Sequence, residues 1–397
     1  MEKYDYLIIG AGIMGLSIAL SLKQKCPQAA ILILDKEDDV ACHASGRNSG
    51  VLHAGFYYTA DSLKAKFTVE GNRRMKAYCR QKSIPLNECG KLVIAQNEKE
   101  LEQLYELERR GKKNGSNICI IPADEAARLE PNVKTYKRAL YSPDTASVDP
   151  KQVCRAIKSD LKDLGVEFRF KAAYLKQSRQ TVATTAGDFT ADKIINCAGL
   201  YADKVAHDFG FGRRYTMMPF KGLYLKYTKN KTDVGMNIYP VPNLKNPFLG
   251  VHFTKTVTGE IKIGPTAIPA FWRENYHNFD SFRLPELLAV SYYQAKLFFF
   301  NSFQFRTLAF EEMRKYNKDY FVSLAVTMVR KIDPQGFTEF TKPGIRAQLL
   351  DKTNLSLVQD FVVEGDAGSL HVLNAVSPAF TCSFPFADYI AQKYIFV

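Results

Sequence analysis

The chain has 397 residues, 46% of them hydrophobic, which suffices for a large core and for two domains rather than one. Lys and Arg exceed Asp and Glu by 13, spread along the whole chain; such a balance suits a solvated basic surface, anionic substrates or an acidic membrane surface, and no nucleic-acid-binding motif accompanies it. The 8 cysteines are scattered without a C-x-x-C pair, which excludes a disulfide framework or a zinc site, and no apolar run reaches the roughly 18 residues that a membrane span needs.

The first predicted elements are the most informative. Tyr6-Leu7-Ile8-Ile9 is an apolar strand running into Gly10-Ala11-Gly12-Ile13-Met14-Gly15, and an apolar-periodic helix follows through Leu16, Ile18, Ala19 and Leu22. In a G-x-G-x-x-G turn, Gly10 allows the tight turn, Gly12 lets backbone approach a pyrophosphate, and Gly15 lets the helix lie close to the strand. The helix N-terminus offers free N–H groups and partial positive charge to phosphates. A second strand, Ile31-Leu32-Ile33-Leu34, ends at Asp35, with Lys36 beside it. A carboxylate there accepts both ribose hydroxyls of an adenosine and argues against a 2′-phosphate. Together these features predict dinucleotide binding. Glu2 and Asp5 leave no cationic n-region ahead of the apolar stretch, so a secretory signal is not expected and the reading is cytoplasmic.

Residues 42–58 form a loop rich in small and polar side chains, followed by a predicted helix over 61–82. A strand is predicted at 91–95. Asn97 with Glu100 is a capping signature for a charged helix to about residue 113. A short helix is predicted at 122–129. Asp149-Pro150 pairs an N-cap with a favoured first-turn proline and opens a helix to about residue 164. Short strands at 166–170, 175–177, 181–185 and near 189 suggest an antiparallel layer, and Lys193-Ile194-Ile195-Asn196 reads as a buried strand ending at Cys197-Ala198-Gly199. The stretch 215–264 is strand-rich (223–227, 237–239, 248–253, 260–263), 285–331 is helical and aromatic, and the tail returns to strands (362–364, 370–373) before a helix from about Ser377. The fold class expected is α/β: a Rossmann-like nucleotide-binding domain assembled from 1–85, 145–214 and 342–397, under a strand-rich α+β substrate or lid domain from 86–144 and 215–341.

Seven segments stand in an order that matches one family pattern. They are SGRNSGVLHAGFYY (45–58), SLKAK (62–66), CGKLVIA (89–95), CAGLYAD (197–203), PFLGVHFT (247–254), GIRAQ (344–348) and HVLNAVSPA (371–379). Across nearly its whole length the chain resembles the L-2-hydroxyglutarate dehydrogenase/oxidase family, a branch of the D-amino-acid-oxidase-like FAD oxidoreductases. Two departures stand out. The family pattern PFRGEYY is here Pro219-Phe220-Lys221-Gly222-Leu223-Tyr224, and NAPSPAAT is Asn374-Ala375-Val376-Ser377-Pro378-Ala379-Phe380-Thr381. Arg to Lys keeps charge but loses a bidentate fork, and Glu to Leu removes a carboxylate.

The resemblance implies FAD, bound non-covalently, and no metal. Residue chemistry points the same way: Ser45, Gly46, Arg47, Asn48, Ser49 and Gly50 offer hydroxyl, amide and backbone donors along a pyrophosphate toward an isoalloxazine. Cys197, Ala198 and Gly199 end a strand near the phosphates or adenine, and a helix starting at Ser377-Pro378 aims its positive end at the flavin N1/O2 edge. The activity implied is oxidation of a small anionic 2-hydroxy acid, L-2-hydroxyglutarate to 2-oxoglutarate, with hydride passing from C2 to flavin N5. Histidine is the natural base. Of the 6 histidines, His43 lies in the cofactor loop, His207 and His277 sit in polar surroundings, and His53, His252 and His371 lie inside family motifs. His371 is the first candidate base and His53 the second. Arg346 is the candidate carboxylate clamp, because guanidinium pairs a carboxylate bidentately. His252, Tyr57, Tyr58 and Lys255 are the remaining substrate-binding candidates, with Tyr57, Tyr58 and Lys255 for the distal carboxylate. An amine oxidase of the glycine or sarcosine kind, and a non-catalytic flavoprotein bound to a membrane or partner, are the alternatives. The electron acceptor is a quinone or oxygen, and the aromatic and basic content of 292–331 suggests peripheral contact with the inner face of a membrane.

Overall fold

The structure, a computed structural model, describes residues 3–242 and 248–396; Pro247 of the PFLGVHFT segment lies outside them. Its centre is a parallel sheet. Lys3–Ile9 pairs in parallel with Ile31–Leu34 on one side and Gly187–Asn196 on the other; Glu167–Arg169 and Ser369–Val372 extend the sheet outward. Ile31–Leu34 is buried on both faces and reads as a continuous apolar run, and Ser369–Val372 is buried throughout although its Ser and His alternate with Leu and Val. Gly187–Asn196 has two partners in succession: its first half pairs antiparallel with Thr181–Thr184, and its second half with Ser369–Val372.

Helices Ile13–Lys25, Leu63–Gln81, Pro150–Asp163 and Ala379–Ile390 contribute to one core cluster behind this sheet. Leu63–Gln81 and Ala379–Ile390 pack closely, since a Cβ on Gly71 would stand 2.2 Å from the Thr381 carbonyl. The expected caps form: Asn97 accepts from the Glu100 N–H, and Asp149 accepts from Lys151 N–H with Pro150 in the first turn.

Among the described residues a second sheet has eight strands, including Lys91–Ile94, Asn237–Pro240, His252–Lys255, Ile261–Gly264 and Leu225–Tyr227. One face packs Leu92, Ile94, Ile238, Phe253, Ile263 and Leu225 against Phe321, Val322 and Ala325 of the helix Lys318–Val326. Two strands cross the expected domain division: Tyr215–Gly222, assigned to the lid, pairs along its whole length with Gly344–Asp351, assigned to the nucleotide domain. The helical stretch after 284 divides into Leu284–Phe300, Phe305–Arg314 and Lys318–Val326.

Candidate active site

Two adjoining cavities share Gly12, Ser45, Cys197 and Gly199 as a waist. The outer one, about 750 Å³, runs past Gly10, Asp35, Lys36 and Ala198 at the tips of the parallel strands. The inner one, about 240 Å³, is walled by Ile13, Met14, Arg47, Asn48, Ser49, His53, Phe220, Tyr224, Arg346 and the stretch Ala375 to Thr381. An elongated dinucleotide fits this shape, with adenosine outside, pyrophosphate at the waist and a ring system within.

Local structure at the waist supports that fit. Gly10 has φ +113°, and a Cβ there would stand 2.4 Å from the Cys197 carbonyl, so this position needs glycine for conformation and space. A Cβ on Gly12 would lie 2.9 Å from Ser45 Oγ, which itself accepts from the Ile13 N–H at 2.9 Å. No side chain of the cap residue closes the helix Ile13–Lys25, so its positive end is directed at the waist. The Asp35 carboxylate is held by main-chain donors, Ala11 N–H at 2.7 Å and Glu37 N–H at 2.9 Å. Lys36 is ion-paired with Glu274 at 2.8 Å.

Of the expected cofactor-loop glycines, Gly15 packs its helix on the strand as its place in the turn predicts, and Gly50 is structural rather than a lining residue. A Cβ on Gly15 would stand 2.0 Å from the Gly10 carbonyl, so Gly15 lets the helix close on the strand and lines neither cavity. Gly50 (φ +77°) lies against the Val148 carbonyl and also lines neither. Arg47 and Asn48 line the inner cavity and also shape its loop. Arg47 donates to the Cys42 carbonyl at 2.7 Å and stacks on Tyr276, while Asn48 donates to the Ala44 and Ser45 carbonyls. Ser377 and Pro378 line the cavity where the helix Ala379–Ile390 begins, and so do Val376 and Phe380, the departing residues of the second motif, whereas Lys221 and Leu223 of the first do not.

His53 and Arg346 meet on the inner cavity wall. His53 Nδ1 is buried without a hydrogen-bond partner. Burial, helped by the charges of Lys91, His252 and Arg346, holds its pKa well below 6.5, so the imidazole is neutral and able to accept a proton. Arg346 has no ion-pair partner among the described residues; its guanidinium stacks over Phe248 at 5.0 Å and lies near Tyr58 and Tyr224. Tyr58 also lies close to Ser377.

His371 is not brought to this cavity. It is fully buried on Ser369–Val372, its Nδ1 accepts from Asn196 Nδ2 at 3.2 Å, and its Nε2 bonds Ser369 Oγ at 3.1 Å. Phe209 and Phe211 flank the ring, and its neighbours Val372 and Leu373 line the cavity in its place. With both nitrogens engaged inside the core, it has no route to a substrate proton.

Strand alternation sorts the other candidates. On the second sheet, Leu92, Ile238 and Phe253 face the helix core, so Lys91, Tyr239, His252 and Thr254 face the opposite way. His252 stacks on Tyr239 with ring centroids 3.6 Å apart and donates through Nδ1 to the Gly250 carbonyl, and burial takes its pKa down to about 3. Tyr57 lies on the same side, near the Lys91 ammonium, with its hydroxyl unpartnered. Lys255 has the parity of Phe253 and points away: its ammonium donates to the Val234 carbonyl at 2.8 Å and to the Lys231 carbonyl. It is a structural lysine, not a substrate contact. Sequence reasoning missed Tyr224 as a residue of the inner cavity wall and Lys91 as a buried charge near its candidates. The signals for Lys91 were its place in the CGKLVIA segment and a lysine opening an otherwise apolar strand.

A family model described as FAD dependent oxidoreductase matches residues 5–393. An L-2-hydroxyglutarate dehydrogenase from Indibacter alkaliphilus is 35% identical, with 98% of each chain covered. Among solved structures, the L-alpha-glycerophosphate oxidase of Mycoplasma pneumoniae superposes with TM-score 0.75 at 22% identity, covering 99% of this chain and 96% of that one. The glycine oxidase of Geobacillus kaustophilus superposes at 0.71 and 16%, covering 99% and 94%. Both structural likenesses speak for the fold alone.

Proposed function

The chain belongs to the FAD-dependent oxidoreductases, within their L-2-hydroxyglutarate dehydrogenase branch, and on that premise we propose that it oxidises L-2-hydroxyglutarate to 2-oxoglutarate with His53 as base. The observation carrying this reading is the pair on the inner wall: an imidazole nitrogen without a hydrogen-bond partner and a guanidinium without an ion-pair partner among the described residues. FAD, when bound, supplies the acceptor for the hydride that leaves C2. Arg346 holds the carboxylate next to C2 in a planar fork and so fixes the orientation of the hydroxyl. His53 takes the hydroxyl proton. The substrate's negative charge offsets Arg346, which raises the proton affinity of the imidazole at the moment it is needed. Phe220, Val376 and Phe380 exclude water from the reacting face. Ser45, Arg47, Asn48 and Ser49, with Gly12, Cys197 and Gly199, hold the cofactor, and Asp35 and Lys36 receive its adenosine end.

We further infer a peripheral membrane contact. No helix of the described residues is long and apolar enough to cross a membrane. Helices Leu284–Phe300 and Phe305–Arg314, with the turn before them, instead expose Phe279, Phe299 and Phe300 at 78, 77 and 71%, together with Phe310, Leu288 and Tyr292. Arg306 and Arg314 are exposed among them, whereas Lys315 turns inward to Glu312. A patch of rings and cations of this kind suits an anionic bilayer and a quinone acceptor within it; oxygen is the alternative acceptor.

The substrate assignment is tested by turnover with an artificial acceptor. L-2-Hydroxyglutarate is expected to be oxidised and its D-enantiomer, glycine and sarcosine not. Turnover of glycine or sarcosine alone would restore the amine-oxidase alternative.

A further inference from the structure

One charged group stands outside this mechanism. Lys91 is wholly buried, and its Nζ has no hydrogen-bond partner among the described residues. Aromatic rings surround it: Tyr239 at 4.0 Å, Tyr57 at 5.4 Å and Phe56 at 5.7 Å from ring centroid to Nζ. Rings attract an ammonium but do not neutralise it. The ionisable groups around it are the Cys89 thiol on its own segment and His53, His252, Tyr57 and Tyr239 from packed elements. None is a carboxylate. A cation so placed either gives up its proton or takes its anion from outside the chain, and burial does bring this lysine's pKa down to about 7.

Further unpartnered polar atoms belong to the same region: Tyr57 Oη, Thr254 Oγ1 on the same sheet face, and His53 Nδ1. His53 is close enough to feel the charges of both Lys91 and Arg346. The candidate base therefore has two cations in its neighbourhood, each without an anionic partner in the described chain.

We propose that Lys91, with the Tyr57 and Thr254 hydroxyls, forms a second anion subsite, which receives the distal carboxylate of a dicarboxylate whose other carboxylate is held by Arg346. This rests on the hydroxy-acid reading above and assigns to Lys91 the selectivity for a diacid that Lys255, facing the other way, does not supply. Tyr57 stands over the ammonium; its rotation admits the carboxylate, and its hydroxyl then gains the partner it lacks.

The test is binding to the flavin-loaded protein, read from perturbation of the flavin absorbance by glutarate and by pentanoate, acids of equal length that differ in the distal carboxylate. Wild type is expected to favour glutarate by on the order of 10²–10³-fold, the usual consequence of pairing a buried charge. Lys91→Met should abolish that preference by weakening glutarate and leaving pentanoate within about threefold; Lys91→Arg should restore part of it. Equal weakening of both acids in Lys91→Met overturns the subsite. Absence of a glutarate preference in wild type overturns it without any variant, should Lys91→Met fail to fold. A Lys91-dependent glutarate preference in a protein whose flavin L-2-hydroxyglutarate does not reduce keeps the subsite and refutes the substrate assignment instead.

Discussion

Replacing His53 by alanine removes the imidazole from the cavity wall and little else. The main-chain bonds of residue 53 persist: its N–H to Thr381 Oγ1 at 3.2 Å and its carbonyl accepting from Asn72 Nδ2 at 3.2 Å. Fold and flavin content are therefore expected to survive. A positioned general base contributes about 10²–10⁴ in rate, or about 2.7–5.5 kcal/mol at 1.36 kcal/mol per tenfold. The assay is anaerobic stopped-flow reduction of the flavin across a pH series, and the loss should appear in the second-order rate constant. The pH series adds a sign. Burial and nearby cations hold His53 well below 6.5, so in wild type the base is free at neutral pH and is lost only as pH falls beneath the ordinary histidine range. His53→Ala should lie flat and low through that region. His371→Ala is the control and should reduce at close to the wild-type rate, since both its nitrogens are engaged in the core. A His53→Ala protein that keeps its flavin and reduces it within threefold of wild type refutes the reasoning, as does a flavin-replete His371→Ala protein that loses reduction.

Gly10→Ala forces a Cβ at φ +113° to within 2.4 Å of the Cys197 carbonyl, with left-handed strain of about 1–3 kcal/mol before any clash; lower flavin occupancy and a lower melting temperature are expected, and a fully yellow variant with a wild-type melt would contradict the waist. Burial brings the His371 pKa down from 6.5 to about 4 in the folded chain, so the unfolded chain binds the proton first, and stability intact above pH 6.5 is lost as pH falls toward 4, by about 3 kcal/mol. Denaturant melts at pH 7 and 4.5 should show that loss shrinking in His371→Leu; an unchanged difference would show that another group is responsible. Sedimentation with anionic liposomes should find salt-sensitive binding that is weakened at least tenfold in a Phe299→Ser, Phe300→Ser double variant, since two large rings leave the interface. Equal binding by wild type and variant, or none at low salt, would remove the patch from the account.

The nucleotide-binding half was legible because its constraints are local. A glycine that must lie against the Cys197 carbonyl and a carboxylate at a strand tip leave fixed spacings in the sequence. The helix starts at Asn97 and Asp149 were legible for the same reason, since a cap acts within three residues. The substrate side is assembled at long range, where Lys91–Ile94 pairs with Asn237–Pro240 and Tyr215–Gly222 with Gly344–Asp351. Strand parity then sorts the candidates: Thr254 shares the sheet face of Lys91 while Lys255 faces away. The structure sets His371 away from the cavity, and the sequence does not show this because both faces of Ser369–Val372 are buried, so its Ser-Leu-His-Val alternation leaves open which face meets the cavity. His53 was legible only as one histidine among three within motifs, and the missing partner on its Nδ1 is a property of the packed chain. A lysine opening an apolar strand, as Lys91 does, reads as that strand's exposed end until its neighbours are in place.

In the reaction proposed, this chain, holding FAD, removes a hydride from C2 and a proton from the hydroxyl of L-2-hydroxyglutarate. Anaerobic titration of the purified flavoprotein tests it most directly, with flavin absorbance and 2-oxoglutarate measured together. One equivalent of L-2-hydroxyglutarate should bleach one equivalent of flavin and yield one of 2-oxoglutarate. A flavin left oxidised by excess L-2-hydroxyglutarate, or bleached by it without 2-oxoglutarate appearing, would contradict it.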